Sequence, residues 1–173
     1  MLPNESRTIR LAISALPPSC IAVIGSATEG YYKGMQPYIW NDIYEPFQGI
    51  HQFVNFEIKE GPGIDVVIRS IDYYEQYKEK FDLVLANSLL EHTENPKELV
   101  HALYGIVKKD GAFLFSSPGE WPYNEDPIDN MLRFESVAKW RAMLPPLYDI
   151  KSFLKLEPVG PGYTTMVVCR RTR

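Results

Sequence analysis

Two apolar-rich runs near the carboxyl end, Asp149–Leu156 and Thr164–Cys169, are joined only by Glu-Pro-Val-Gly-Pro-Gly. Parallel neighbours need a crossover of about a dozen residues or more, so this link makes the two runs antiparallel neighbours. The rest of the chain must therefore supply a sheet to which a reversed strand can be added.

Upstream, short apolar runs alternate with helical patterns. Ile21–Ile24, ending at Gly25, reads as a strand buried on both faces. Tyr38–Trp40, ending at Asn41-Asp42, reads as a second strand and Asp65–Ile68 as a third. Phe81–Ala86 and Ala112–Ser116 read as the fourth and fifth. Ile9, Ala12, Ile13 and Leu16 recur at helical spacing over residues 5–16, and Pro17-Pro18 stops that helix. Between the fourth and fifth strands, Asn95-Pro96-Lys97-Glu98 resembles a capping box, followed by Leu99, Leu103 and Ile106 as the apolar stripe. Lys108, Lys109 and Gly111 mark its expected end. A further helix is expected over 135–144, with Val137, Trp140 and Leu144 facing inward. The alternation with a terminal hairpin implies a Rossmann-like α/β fold: a mostly parallel sheet with one reversed strand and helices on both faces.

Two stretches fit this scheme poorly. Residues 25–38 hold two glycines after Gly25 and a proline, so the first crossover helix is expected to be short or missing. Residues 43–63 are long for a loop, and Val54, Phe56 and Ile58 alternate within them. That alternation predicts an extra strand that covers a sheet edge or makes a homodimer contact.

At 173 residues the chain suits one domain, and 45% hydrophobic with 23% charged residues gives it an ordinary core. The net charge of -4 and the absence of a basic stripe argue against docking on nucleic acid; Arg170-Arg171-Thr172-Arg173 reads as a solvated end. No signal peptide pattern opens the sequence, and no apolar run is long enough to span a bilayer, so a cytoplasmic location is expected. Cys20 and Cys169, each beside an apolar run, read as two buried thiols of a reducing compartment. Three scattered histidines, His51, His92 and His101, give no metal signature.

Phe81-Asp-Leu-Val-Leu-Ala-Asn-Ser-Leu-Leu-Glu-His92 is similar to the fourth strand and following turn of the small class I S-adenosylmethionine-dependent methyltransferases. Asn95-Pro96, the long helix, Lys108-Lys-Asp-Gly111 and Ser117-Pro118 follow in the order that family shows. Pro127-Ile-Asp129-Asn-Met-Leu-Arg133-Phe134 resembles the Pro-x-Asp-x-x-Arg-Phe element of one subgroup, and Glu60–Val67 its third-strand entry. The resemblance covers roughly residues 20–144. It implies sheet order 3-2-1-4-5-7-6 with strand 7 antiparallel. It also implies an S-adenosylmethionine site at the carboxyl ends of the first four strands, where open α/β sheets place ligands.

Carried over position by position, the resemblance makes Gly25, Ser26 and Ala27 the cofactor loop. Ala27 stands where the family has a second glycine, and Val23 where it has an acid. Asp42 is the expected acceptor for the ribose hydroxyls. Arg69 falls where the family often has an adenine-binding Asp, and Asp72 is the substitute. Asn87 and Ser88 line the next turn beside the sulfonium. His92 and Asp126 are the candidate general bases, needed if the acceptor must lose a proton. Glu91, Trp121, Tyr123, Asp129 and Arg133 are the candidate acceptor contacts, with Asp129 and Arg133 open also to a loop-fixing ion pair. The implied activity is methyl transfer to a small polar or sugar-like molecule. Val23, Ala27 and Arg69 keep a second reading open, a binding or scaffold protein with lost cofactor affinity. A nicotinamide-dependent oxidoreductase lacks its Gly-x-Gly-x-x-Gly here.

Overall fold

The structure is a computed structural model that describes residues 3–122, 132–144, 146–156 and 162–172. Its strands are β1 (Cys20–Ile24), β2 (Gln52–Glu57), β3 (Val66–Val67), β4 (Phe81–Asn87), β5 (Val107–Glu120), β6 (Tyr148–Lys155) and β7 (Tyr163–Arg171). They form one sheet of order β3-β2-β1-β4-β5-β7-β6. β7 runs antiparallel to both β5 and β6, as the short link demanded, and the pairs from β3 through β5 are parallel.

Helices cover both faces because strand side chains alternate. On one face α1 (Pro3–Ser14), α2 (Glu29–Met35) and α3 (Pro37–Ile39) cover Ile21, Val23, Leu83, Leu85 and Leu114. On the other, α4 (Pro96–Ile106) and α5 (Val137–Met143) cover Ala22, Ile24, Val84, Phe113 and Phe115. Ile9 and Ile13, one helical turn apart on α1, are fully buried, each contributing about 1.5–3 kcal/mol of burial. Ile21–Ile24 is buried on both faces as expected.

The second strand is not where the sequence reading put it. Tyr38–Trp40 is helical: α3 runs on into a π-helical turn, Trp40–Tyr44, and a 3-10 turn, Glu45–Phe47. Ile39, Ile43 and Phe47, four residues apart, form the buried stripe of this helical run against α1 and β1. The first crossover helix is short, as expected, but further helical turns follow it. The extra strand predicted in 43–63 is β2 itself. It lies between β1 and β3, pairing with β3 through Phe56 and Glu57, so it is an inner strand of the sheet and not an added edge cover.

Two further boundaries shift. α4 ends at Ile106, and Lys108 does not cap it: its ammonium pairs with Asp82 at 2.9 Å inside an irregular stretch of the β4–β5 ladder. Asn95 stands at the N-cap of α4 without a side-chain capping bond. Between β2 and β3 the chain has no helix at all, only residues 58–65. Among the described residues, no helix is long and apolar enough to cross a membrane.

Candidate active site

The order β2-β1-β4-β5 places a topological switch point between β1 and β4, where chains leaving the sheet diverge to opposite faces and open a crevice. β1 and β4 pair up to Ile24 and Ala86, so Gly25 and Asn87 follow side by side at the mouth of that crevice.

Gly25 has φ +69°, in the left-handed region that a residue with a Cβ avoids. A Cβ there would also lie 2.9 Å from Leu89 Cδ1. Its N–H and that of Ser26 both donate to the Phe56 carbonyl, at 2.9 and 3.2 Å. The Ala27 N–H donates to the Tyr32 hydroxyl at 2.8 Å. Thr28 caps α2, its hydroxyl accepting from the Tyr31 N–H. The link 58–65 presses on this cap: the Glu29 N–H donates to the Pro62 carbonyl, and a Cβ on Gly61 would lie 2.5 Å from Thr28 Cγ2.

Asn87 ends β4 with its side-chain oxygen buried and, among the described residues, without a hydrogen-bond partner. Buried polar atoms are nearly always paired, so an orphaned acceptor at a crevice suits a donor that arrives with a ligand. Ser88 adopts φ +48°, and its N–H donates to the Ser116 carbonyl. These twists turn the chain from β4 into the Leu90–His92 turn. Glu91 there is 3% exposed and accepts from the Ser117 hydroxyl at 2.9 Å. Burial pushes its carboxyl above the usual range; the hydrogen bonds oppose this and the nearby Glu5 carboxylate adds to it. His92 is half-buried beside it.

Glu5 was not singled out from the sequence. It is fully buried, and its carboxylate accepts from the Ser116 hydroxyl at 2.6 Å. α1 thus brings a carboxylate to the end of β5 from one face while Glu91 approaches from the other. Only its position within the expected helix of residues 5–16 hinted at this. An acid one turn before Ile9 on an apolar stripe is a signal of a buried partner.

Asp42 requires a correction. With Tyr38–Trp40 helical, it does not end a strand. It sits in the π-helical turn, accepts from the Ser6 hydroxyl at 2.7 Å and pairs with Arg10 at 3.4 Å, tying α1 to the helical run. The acid that ends the second strand is Glu57, followed by Ile58, which is 69% exposed. The alternation through Val54, Phe56 and Ile58 was the signal that could have found it.

Asp72 is exposed in a 3-10 segment, Ile71–Tyr77, and borders an open groove of about 1040 Å³ between that segment, α4 and α5. Neither Gly25 nor Asn87 lines that groove. Trp121, half-buried just beyond β5, and Pro122 present their carbonyls to the Arg133 guanidinium at 3.0 and 3.2 Å. Arg133 therefore clamps main chain. Phe134 continues the clamp through its N–H to the Pro118 carbonyl and its ring on Trp140. Tyr123, Asp126 and Asp129 lie outside the described residues.

Across residues 8–155 the sequence matches the family described as "Methyltransferase domain". The chain belongs to that family. As a class I S-adenosylmethionine-dependent methyltransferase domain, it has the sheet order and the reversed seventh strand that the resemblance implied. It is 30% identical over 102 residues to a ubiquinone biosynthesis O-methyltransferase of Pseudomonas entomophila, an alignment covering 57% of this chain and 42% of that protein. A Pseudomonas putida counterpart is 29% identical over the same length. The match thus spans under half the length of these curated relatives. Among solved structures, the methyltransferase domain is similar to 1,6-didemethyltoxoflavin-N1-methyltransferase of Burkholderia thailandensis, solved with S-adenosylhomocysteine, at TM-score 0.64 and 14% identity, covering 99% of this chain and 78% of that one. It is also similar to the N-methyltransferase NodS of Bradyrhizobium japonicum, solved with S-adenosylhomocysteine, at TM-score 0.62 and 12% identity, covering 98% of this chain and 87% of that one. At such identities these two establish the fold.

Proposed function

We propose that this chain binds S-adenosylmethionine across the β1–β4 crevice and transfers its methyl group to a small polar, sugar-like acceptor. The pairing of a left-handed Gly25 with the buried, unpartnered oxygen of Asn87 carries the reading. Gly25 makes the left-handed turn that carries the chain out of β1 into the loop, and the Asn87 oxygen would accept from a donor on the cofactor, such as its ammonium group. Glu57, at the end of β2, would accept from the ribose hydroxyls, the part first assigned to Asp42. Exposed Ile58 would give the adenine an apolar wall.

When bound, the cofactor supplies a methyl group already activated on a positive sulfur. The protein's share is to orient the acceptor and keep water out, worth on the order of 7–11 kcal/mol of barrier in favourable cases. His92, next to Glu91 in the turn after β4, is the proposed base for an acceptor hydroxyl. Asp126 is the second candidate for that role, from its place in the sequence. Trp121 is the proposed acceptor contact beyond β5, and Arg133 shapes that side by holding the carbonyls of residues 121 and 122. Tyr123 and Asp129 are further candidates from their place in the sequence.

Calorimetric titration with S-adenosylhomocysteine tests the cofactor reading. Saturable 1:1 binding is expected, and no heat at high protein concentration overturns it. Methyl-labelled S-adenosylmethionine, offered with sugars, phenols and amines in parallel, tests the acceptor; label only in the phenols or amines overturns the sugar-like assignment.

A further inference from the structure

The cofactor loop has an alanine where a glycine is expected, yet its shape is closely held. The main-chain N–H groups of Gly25 and Ser26 converge on the Phe56 carbonyl, and that of Ala27 is taken by Tyr32. The Ala27 side chain packs on the apolar cluster under the loop, among α1, α2 and β1. Its methyl group and its N–H are thus both engaged beneath the loop. Tyr32 is 7% exposed, rests against Tyr44 at 5.7 Å between ring centroids, and projects its hydroxyl from α2 up into the loop. Burial pushes that hydroxyl up to about 12, so it stays protonated across the physiological range.

We propose that Tyr32 is the positioning residue of the cofactor loop: by accepting the Ala27 N–H it turns the Ala27 side chain inward and leaves the loop face toward the crevice clear for S-adenosylmethionine. The inference rests on the cofactor reading above. It explains how the loop dispenses with its second glycine: a residue whose Cβ is buried beneath the backbone obstructs nothing above it.

The test compares S-adenosylhomocysteine affinity in the wild type, in Tyr32→Phe and in Tyr148→Phe, at a temperature where all three are folded. Tyr148→Phe deletes a similarly buried hydroxyl, bonded to the Val100 carbonyl on the opposite face of the sheet, and controls for lost stability. Tyr32→Phe is expected to weaken binding about five- to tenfold, the loss that goes with one hydrogen bond. Tyr148→Phe is expected to leave it unchanged. Hydrogen exchange at the Ala27 amide should be slow in the wild type and faster in Tyr32→Phe alone. Equal affinity in Tyr32→Phe and the wild type overturns the proposal while leaving the cofactor reading intact, whereas a wild type that binds no S-adenosylhomocysteine removes both. Rapid Ala27 exchange in the wild type also overturns the proposal, whether or not Tyr32→Phe folds.

Discussion

Leu89 closes directly over Gly25: a Cβ on residue 25 would come within 2.9 Å of Leu89 Cδ1. The contact joins the end of β1 to the turn after β4, the two walls of the crevice. Gly25→Ala meets it together with a φ of +69°. The leucine can swing aside, so the backbone sets the cost, about 1–2 kcal/mol for a non-glycine residue in the left-handed region. Thermal unfolding should show a fall of several degrees in Tm, and titration should show weaker S-adenosylhomocysteine binding.

Glu57 and Asp42 make opposite predictions. Glu57→Gln should weaken S-adenosylhomocysteine binding about tenfold, because a carboxylate accepts more strongly than an amide. Asp42→Asn should leave that affinity in place and loosen α1, whose Ser6 and Arg10 it holds. Calorimetry for the first effect and hydrogen exchange in residues 3–14 for the second separate the two. The reverse pattern would restore Asp42 to the cofactor site.

Ser116→Ala removes the hydroxyl that Glu5 accepts from inside the protein. A hydrogen bond to a buried charged group contributes about 1.5–3 kcal/mol. Urea unfolding should show a loss of that size, and it should shrink when Glu5 is also changed to Gln, because the two side chains act as one unit.

Glu91 gives a pH signature. Its folded-state carboxyl titrates above the ordinary 4.5. It therefore contributes stability that is fully present below that pH and is lost as pH rises through the folded-state value. Glu91→Gln keeps an acceptor for Ser117 and removes the titration. The variant should gain stability relative to the wild type as pH rises above 4.5, read from paired denaturant curves. A constant difference would refute the burial of an ionising carboxylate.

His51 works in the other direction. It lies between Phe47 and Phe53, and its Nδ1 accepts from the Ser19 N–H at 3.2 Å. Burial holds its imidazole below the ordinary 6.5. Its contribution is present above pH 6.5 and is lost as pH falls toward the folded-state value, where the unfolded chain takes up a proton first. His51→Gln should flatten the wild-type stability profile on the acid side of that pH.

The terminal hairpin and the strand Phe81–Ala86 were legible from local pattern, because a short link or an apolar run leaves few alternatives. So was the burial of Ile9, Ile13 and Trp140. Gly25 was marked the same way, as the end of an apolar run, whereas the Leu-Glu-His turn and Asn87 came from the family resemblance. Tyr38–Trp40 misled because three residues of aromatic and β-branched type have strand propensity but no periodicity of their own. The stripe Ile39, Ile43, Phe47 reads as helix only when the window is widened past Pro46. That one shift of β2 moved the acid at the end of the second strand from Asp42 to Glu57.

The sequence by itself determined the alternating α/β class, the reversed last strand and the strand ends that border the crevice. These depend on spacing along the chain, and link length and side-chain period are local quantities. Only the tertiary structure decided that Glu5 meets Ser116, that Asp42 holds α1, that Arg133 grips the carbonyls of residues 121 and 122, and that Tyr32 takes the Ala27 N–H. Each of these except the last joins residues eleven or more positions apart. Even Tyr32 reaches Ala27 only because α2 begins at Glu29 and turns its aromatic ring back beneath the loop. Such pairings are set by how α1 and α2 pack on the sheet, and a one-dimensional pattern carries no record of that geometry.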